Sequence, residues 1–168
     1  SISISREGIH LVVKASVNLG ASFKTWRAYK YVPDVTTGAK SSANTMYKKV
    51  ELTEAERTEY GIPSLTNSIL KFDQPNADLE FEATYEIDKC RLTVINGTIS
   101  DGSTSKTFDF GDTVYINANT SNGYHFSHWE VVEGNPIWPA DGKTYKYTHV
   151  ILRGDATVRA VFEEYKIP

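Results

Sequence analysis

The 168-residue chain is 40% hydrophobic and 23% charged, enough apolar material for a core, which excludes wholesale disorder and allows one domain or two small ones. A net charge of −3 and a pI near 5.8 give no basic field for a phosphate backbone, so no nucleic-acid partner is expected. No apolar run approaches the roughly 20 residues of a membrane helix, so no membrane insertion is expected. The lone cysteine, Cys90, excludes an internal disulfide and any cysteine-built zinc site.

The chain opens at Ser1 without a methionine, as expected of a processed product or a cut piece. Leu11, Val13 and Ala15 alternate with residues of the opposite face and predict a half-buried strand. It runs into "GASFKTW", residues 20–26, where Gly20 supplies a positive φ at the turn before Phe23 and Trp26 come down on the core. Residues 31–49 read as a loop rich in Ser, Thr, Gly and Ala. "LTEAERTEYGIP" then predicts a helix of about two turns, with Thr53 as N-cap, Glu56 three residues on, and Gly61 and Pro63 as stops. In "ADLEFEATYE", residues 77–86, Leu79, Phe81, Ala83 and Tyr85 face inward. Glu80 and Glu82 face out, where acidic residues discourage edge pairing.

Farther along, Leu92 to Ile95 form a strand, Asn96-Gly97 reads as a hairpin turn, and Thr98-Ile99 start its return. "SDGSTSKTFDFGD", residues 100–112, reads as a hairpin loop with Asp-Gly turn chemistry; Asp101, Asp109 and Asp112 are oxygen ligands of the kind calcium accepts, but at no calcium-loop spacing. Thr113 to Ala118 alternate again, with Val114, Ile116 and Ala118 inward and Tyr115 and Asn117 outward. "GYHFSHW" brings Gly123, Phe126 and Trp129; "GNPIWPADG" is a loop holding Trp138; residues 145–152 predict a strand; and Ala156, Val158, Ala160 and Phe162 form the inward face of a closing strand.

This order repeats. Residues 8–26 align without a gap on residues 111–129, matching Gly8, Ala15, Gly20, Phe23 and Trp26 to Gly111, Ala118, Gly123, Phe126 and Trp129. Residues 77–86 align on 154–163, matching Asp78, Ala83 and Glu86 to Asp155, Ala160 and Glu163. The expected fold is mainly β: two tandem small β modules, residues 1–87 and 88–168, the first carrying an insertion at about 31–60 with one short helix. A duplicated Gly-x-x-Phe-x-x-Trp is expected of a packing motif rather than a catalytic site. Gly20, Phe23, Trp26, Gly123, Phe126, Trp129 and Phe162 are therefore read as structural core. The first copy has no counterpart of the strand Leu92 to Ile95. Three explanations stand open: upstream sequence was cut away, Ser1 to Ser5 substitutes, or a neighbouring subunit supplies a strand to the open edge.

Strand, Gly-x-x-Phe-x-x-Trp, a variable stretch and then Asp-x-Thr-Val-x-Ala-x-Phe resembles the divergent internalin-B-type B-repeat, also called the Listeria-Bacteroides repeat. The second copy fits from Arg91 through Phe162, and the first more loosely, with "ADLEFEAT" as its closing block. The resemblance implies small β-grasp-like modules of secreted and cell-surface proteins of bacteria and of phage structural proteins, in spacer, adhesion or interaction roles, with no catalytic residues.

Competing chemistry is thin. His125 and His128, with His149, are read as surface imidazoles rather than zinc ligands; no metal and no cofactor is expected. No nucleophile elbow, phosphate loop or catalytic triad order appears, so no enzyme is expected. Trp138, with Tyr145 and Tyr147 widening the platform, is the candidate ligand-binding surface. The expected function is a noncatalytic extracellular or virion structural module that spaces, decorates or helps assemble a surface appendage. Its partners would be protein neighbours, with self-association through the open edge of the first module; the alternative is an adhesin module for a glycan or host surface protein.

Overall fold

A computed structural model describes residues 1–34 and 46–166, which form two compact units, residues 1–86 and 87–168. The fold is mainly β with one short α-helix. The first unit contains β1 (Ile2–Glu7), β2 (His10–Ala15), β3 (Ala21–Pro33), β4 (Tyr47–Glu51), α1 (Glu54–Glu59), β5 (Ile69–Asp73) and β6 (Leu79–Ile87). The second contains β7 (Lys89–Ile95), β8 (Gly97–Ile99), β9 (Ser105–Asp109), β10 (Thr113–Ala118), β11 (Tyr124–Glu133), β12 (Tyr147–Ile151) and β13 (Ala156–Glu164), with a 3-10 turn at Gly142–Thr144. Among the described residues no helix is long and apolar enough to cross a membrane.

Each unit has two sheets. In the second unit they are ordered β8-β10-β12 and β11-β13-β7-β9, and in the first β1-β2-β5 and β4-β3-β6. The apolar alternation explains the packing between them. In the second unit Leu92, Val94, Ile99, Val114, Ile116, Ala118, Ala156, Val158 and Ala160 are all buried around Trp129. The first unit builds its core from Val13, Leu70, Phe72 and Phe81 around Trp26.

The duplicated motif packs the same way twice. Gly20 and Gly123 have φ of 92° and 82°, a region that costs glycine little and other residues more. Phe23 lies 5.4 Å from the Trp26 ring, and Phe126 lies 5.8 Å from the Trp129 ring, both tilted. A second aromatic meets each Phe edge-on, Tyr85 in the first unit and Phe162 in the second. The helix forms where predicted, with Thr53 and Glu56 closing a capping box.

Several sequence expectations need correction. Asn96-Gly97 does not close a hairpin. Asn96, at φ 61°, turns the chain from one sheet into the other, so β7 and β8 lie in different sheets, and β7 pairs with β9 instead. Gly97 is needed for closeness: a Cβ there would sit 2.6 Å from the Asn117 carbonyl oxygen and 2.8 Å from Trp129. The stretch read as a loop at residues 100–112 thus contains strand β9. Similarly, the loop expected at 31–49 is partly a hairpin, because Tyr31, Val32, Tyr47 and Val50 suit a strand and extend β3 against β4. The Ser, Thr, Gly and Ala content of that reading falls on 35–45, outside the described residues. Tyr85, expected inward, is 37% exposed. Ile2 to Ser5 do form a strand, but it pairs with β2 in the place that β8 occupies beside β10.

Candidate functional site

The outer face of the β8-β10-β12 sheet carries a row of exposed rings. Because Val114, Ile116 and Ala118 point to the core, Tyr115 must point away. Antiparallel pairing sets Tyr115 opposite His149, with Tyr147 one diagonal step along. The Tyr115 and Tyr147 rings stack with centroids 5.8 Å apart and planes 21° from parallel, and His149 tilts against Tyr115 at 5.3 Å. Tyr115 is 45% and Tyr147 59% exposed. Such a surface offers flat π faces and two phenol hydroxyls to a ligand that is apolar on one side and polar at its edges.

Of the residues predicted to bind, Tyr147 belongs to this row. Tyr145 is exposed, but its backbone carbonyl accepts the Trp129 indole N–H at 2.9 Å, which fixes the segment to the core. Trp138 stands apart on the core side: it is half-buried against the hydrophobic cluster, its Nε1 is enclosed without a hydrogen-bond partner, and the Lys143 ammonium lies 5.8 Å from its ring. Sequence reasoning missed Tyr115 and His149 as companions of Tyr147. The signal was present for Tyr115, in the alternation that turns it outward, but the cross-strand register that joins it to Tyr147 is tertiary.

A second surface lies on the outer face of β4-β3-β6. Lys49 reaches across β3 to place its ammonium 2.7 Å from Glu82 and 2.9 Å from Glu80, passing 4.5 Å from the Tyr29 ring centre. Tyr31 donates to Glu80 at 2.8 Å and Tyr29 to Glu82 at 3.2 Å. The Glu82 and Glu80 hydrogen bonds hold the Lys49 pKa above the ordinary lysine range, and Lys49 holds both carboxylates below theirs. Glu80 and Glu82 are thus an ion-paired cross-strand network rather than a bare acidic face, and neither retains a proton for acid catalysis at neutral pH.

The considered metal ligands are dispersed. Asp101 accepts from the Ser103 hydroxyl and backbone N–H and from Lys106, which together drive its pKa well below the usual carboxylate range. Asp109 pairs with Lys89, and Asp112 accepts from the Asp109 backbone N–H. His125 lies 3.4 Å from Glu163, while His128 hydrogen-bonds Ser127. Among the described residues no group of three His, Cys, Asp or Glu side chains is placed to hold a metal. Cys90 is buried, at 1% exposure, and makes no disulfide.

Residues 91–166 match the family described as the divergent InlB B-repeat domain. The match covers the second unit. No curated protein and no solved structure matches the chain. Within the matched span, Gly123 makes a turn at φ 82° and Phe126, Trp129 and Phe162 pack in or against the core.

Proposed function

We propose that the chain is a noncatalytic structural module of an extracellular or virion surface assembly, built from two B-repeats in tandem and serving as spacer, decoration or assembly unit. The observation that carries this reading is the repeated core. Within the matched residues 91–166, Gly123, Phe126 and Trp129 pack as Gly20, Phe23 and Trp26 do in residues 1–86, down to the edge-on second aromatic.

The exposed row of Tyr115, Tyr147 and His149 favours a second reading, an adhesin module that stacks a sugar or a partner side chain. Titration of the full chain with a panel of mono- and oligosaccharides, followed by tyrosine and tryptophan fluorescence, separates the two. The structural reading expects no saturable response. A saturable response abolished by Tyr147→Ala overturns it in favour of the adhesin.

A further inference from the structure

The ring row on the outer face of β8-β10-β12 has a counterpart in the first unit, and the comparison shows that folding does not require it. In the second unit Tyr115 stands opposite His149 and Asn117 opposite Tyr147. The same register in the first unit sets Val12 opposite Lys71 and Lys14 opposite Ile69. The first unit treats that face as a solvated one, with Lys71 paired to Glu7 at 2.9 Å and His10 to Asp73 at 2.8 Å. In the second unit the outward positions of β10 and β12 are Thr113, Tyr115, Asn117, Tyr147, His149 and Ile151, with no Asp, Glu, Lys or Arg among them. In a chain that is 23% charged, an exposed face that gathers rings and sheds charge has the composition of a recognition surface.

The chain itself shows what its rings take. Lys49 and Arg27 both stand over Tyr29, 4.5 Å and 5.6 Å from the ring centre; Lys143 stands 5.8 Å from the centre of Trp138 and Lys106 5.6 Å from that of Phe108. The negative π face of each of these rings is met by a cation from within the chain. Among the described residues no cation stands over Tyr115 or Tyr147, although both rings are exposed.

The geometry of the row suits a planar cation. Tyr115 and Tyr147 lie 21° from parallel, and Tyr115 covers one face of Tyr147, so the other face is the open end of a stack. A guanidinium laid there continues the stack and turns its N–H groups to the rim, where the phenol oxygens and the carboxamide oxygen of Asn117, across from Tyr147, are acceptors. A lysine ammonium is compact, strongly hydrated and unable to stack in this way. Charge agrees: the face holds no Lys or Arg to repel a cation, and the net charge of the chain is −3.

We propose that the outer face of β10 and β12 is a docking site for an arginine-bearing segment of a partner protein. The arginine guanidinium stacks on Tyr147, extending the Tyr115–Tyr147 pair by one layer, and donates to Asn117. The inference deepens the assembly reading and rests on it in assigning the arginine to a protein neighbour.

The test titrates the full chain with the capped peptide Gly-Arg-Gly-Arg-Gly and follows the ring-proton resonances of Tyr115 and Tyr147. Saturable shifts are expected within about 10 mM, since one cation on an exposed ring stack binds weakly. Tyr147→Ala, verified as folded by circular dichroism, should weaken binding by about fivefold or more, while Tyr147→Phe, which keeps the ring, should retain most of it. The same peptide with lysine, of equal charge, and with citrulline, planar but uncharged, should each bind more weakly. Absence of saturable shifts overturns the proposal. So does equal binding of the lysine peptide, which would mark the general field of an acidic chain, or of the citrulline peptide, which would show that charge plays no part. A sugar that saturates these rings and displaces the arginine peptide overturns it in favour of a glycan site. Failure with arginine and no response to sugars leaves the assembly reading standing; a saturable sugar response is what overturns that reading.

Discussion

The indole N–H of Trp26 donates to the backbone carbonyl of Asn67 at 2.8 Å, two residues before β5 begins. Trp129 does the same to Tyr145 at 2.9 Å, two residues before β12. Each Trp thus fills its core and fastens the loop that leads into the facing sheet. Both indoles are 1% exposed.

Removing either ring should unfold its own unit. Trp26→Ala or Trp129→Ala is expected to cost about 3–5 kcal/mol, a large share of what a small domain holds. Trp129→Phe keeps most of the apolar volume but leaves the Tyr145 carbonyl without its donor, for a loss of about 1–3 kcal/mol. Urea unfolding followed by circular dichroism measures both. A folded Trp129→Ala chain of undiminished midpoint would contradict the packing role.

Gly97 and Gly123 separate close approach from backbone conformation. Gly97→Ala forces a methyl into the Asn117 backbone and the Trp129 ring, and overpacking of this kind costs about 1–3 kcal/mol or more. Gly123→Ala meets nothing within 4 Å but must hold φ at 82°, for about 1–2 kcal/mol. Gly97→Ala should therefore be the more damaging, and it should also shift the near-ultraviolet signal of Trp129.

The Lys49 network makes the first unit sensitive to acid. Because Lys49 lowers the folded-state pKa of Glu80 and Glu82 below the ordinary value of 4.5, their contribution is complete above that value. It fades as the pH falls through the depressed folded values. Lys49→Met should lower the melting temperature of the first unit at pH 7, and the gap to the unaltered chain should close in acid. A gap that stays constant from pH 7 to about pH 2 would show that the loss is packing rather than charge.

Thr53→Ala opens the capping box: Thr53 Oγ1 accepts from the Glu56 backbone N–H, and Glu56 Oε1 accepts from the Thr53 N–H at 3.1 Å. The expected cost is about 1 kcal/mol, seen as faster hydrogen exchange in Glu54–Glu59 with little change in β5. Thr53→Ser, which restores the acceptor, should return exchange most of the way.

The sequence by itself determined strands β2, β6, β7, β10, β12 and β13 with most of their inward faces, the two glycine turns, the capped helix and the duplicated aromatic motif, but not β4, β5 or β9. All of these follow from local periodicity and turn chemistry within about ten residues. Tertiary structure alone decided what local pattern does not encode. Asn96-Gly97 looks like a hairpin turn, yet it switches sheets because Gly97 must pass under Trp129. Tyr115 and His149 join Tyr147 only through the register of β10 on β12. Glu80 and Glu82 read as a repelling face until Lys49, about 30 residues away in the chain, folds across Tyr29 to neutralise them.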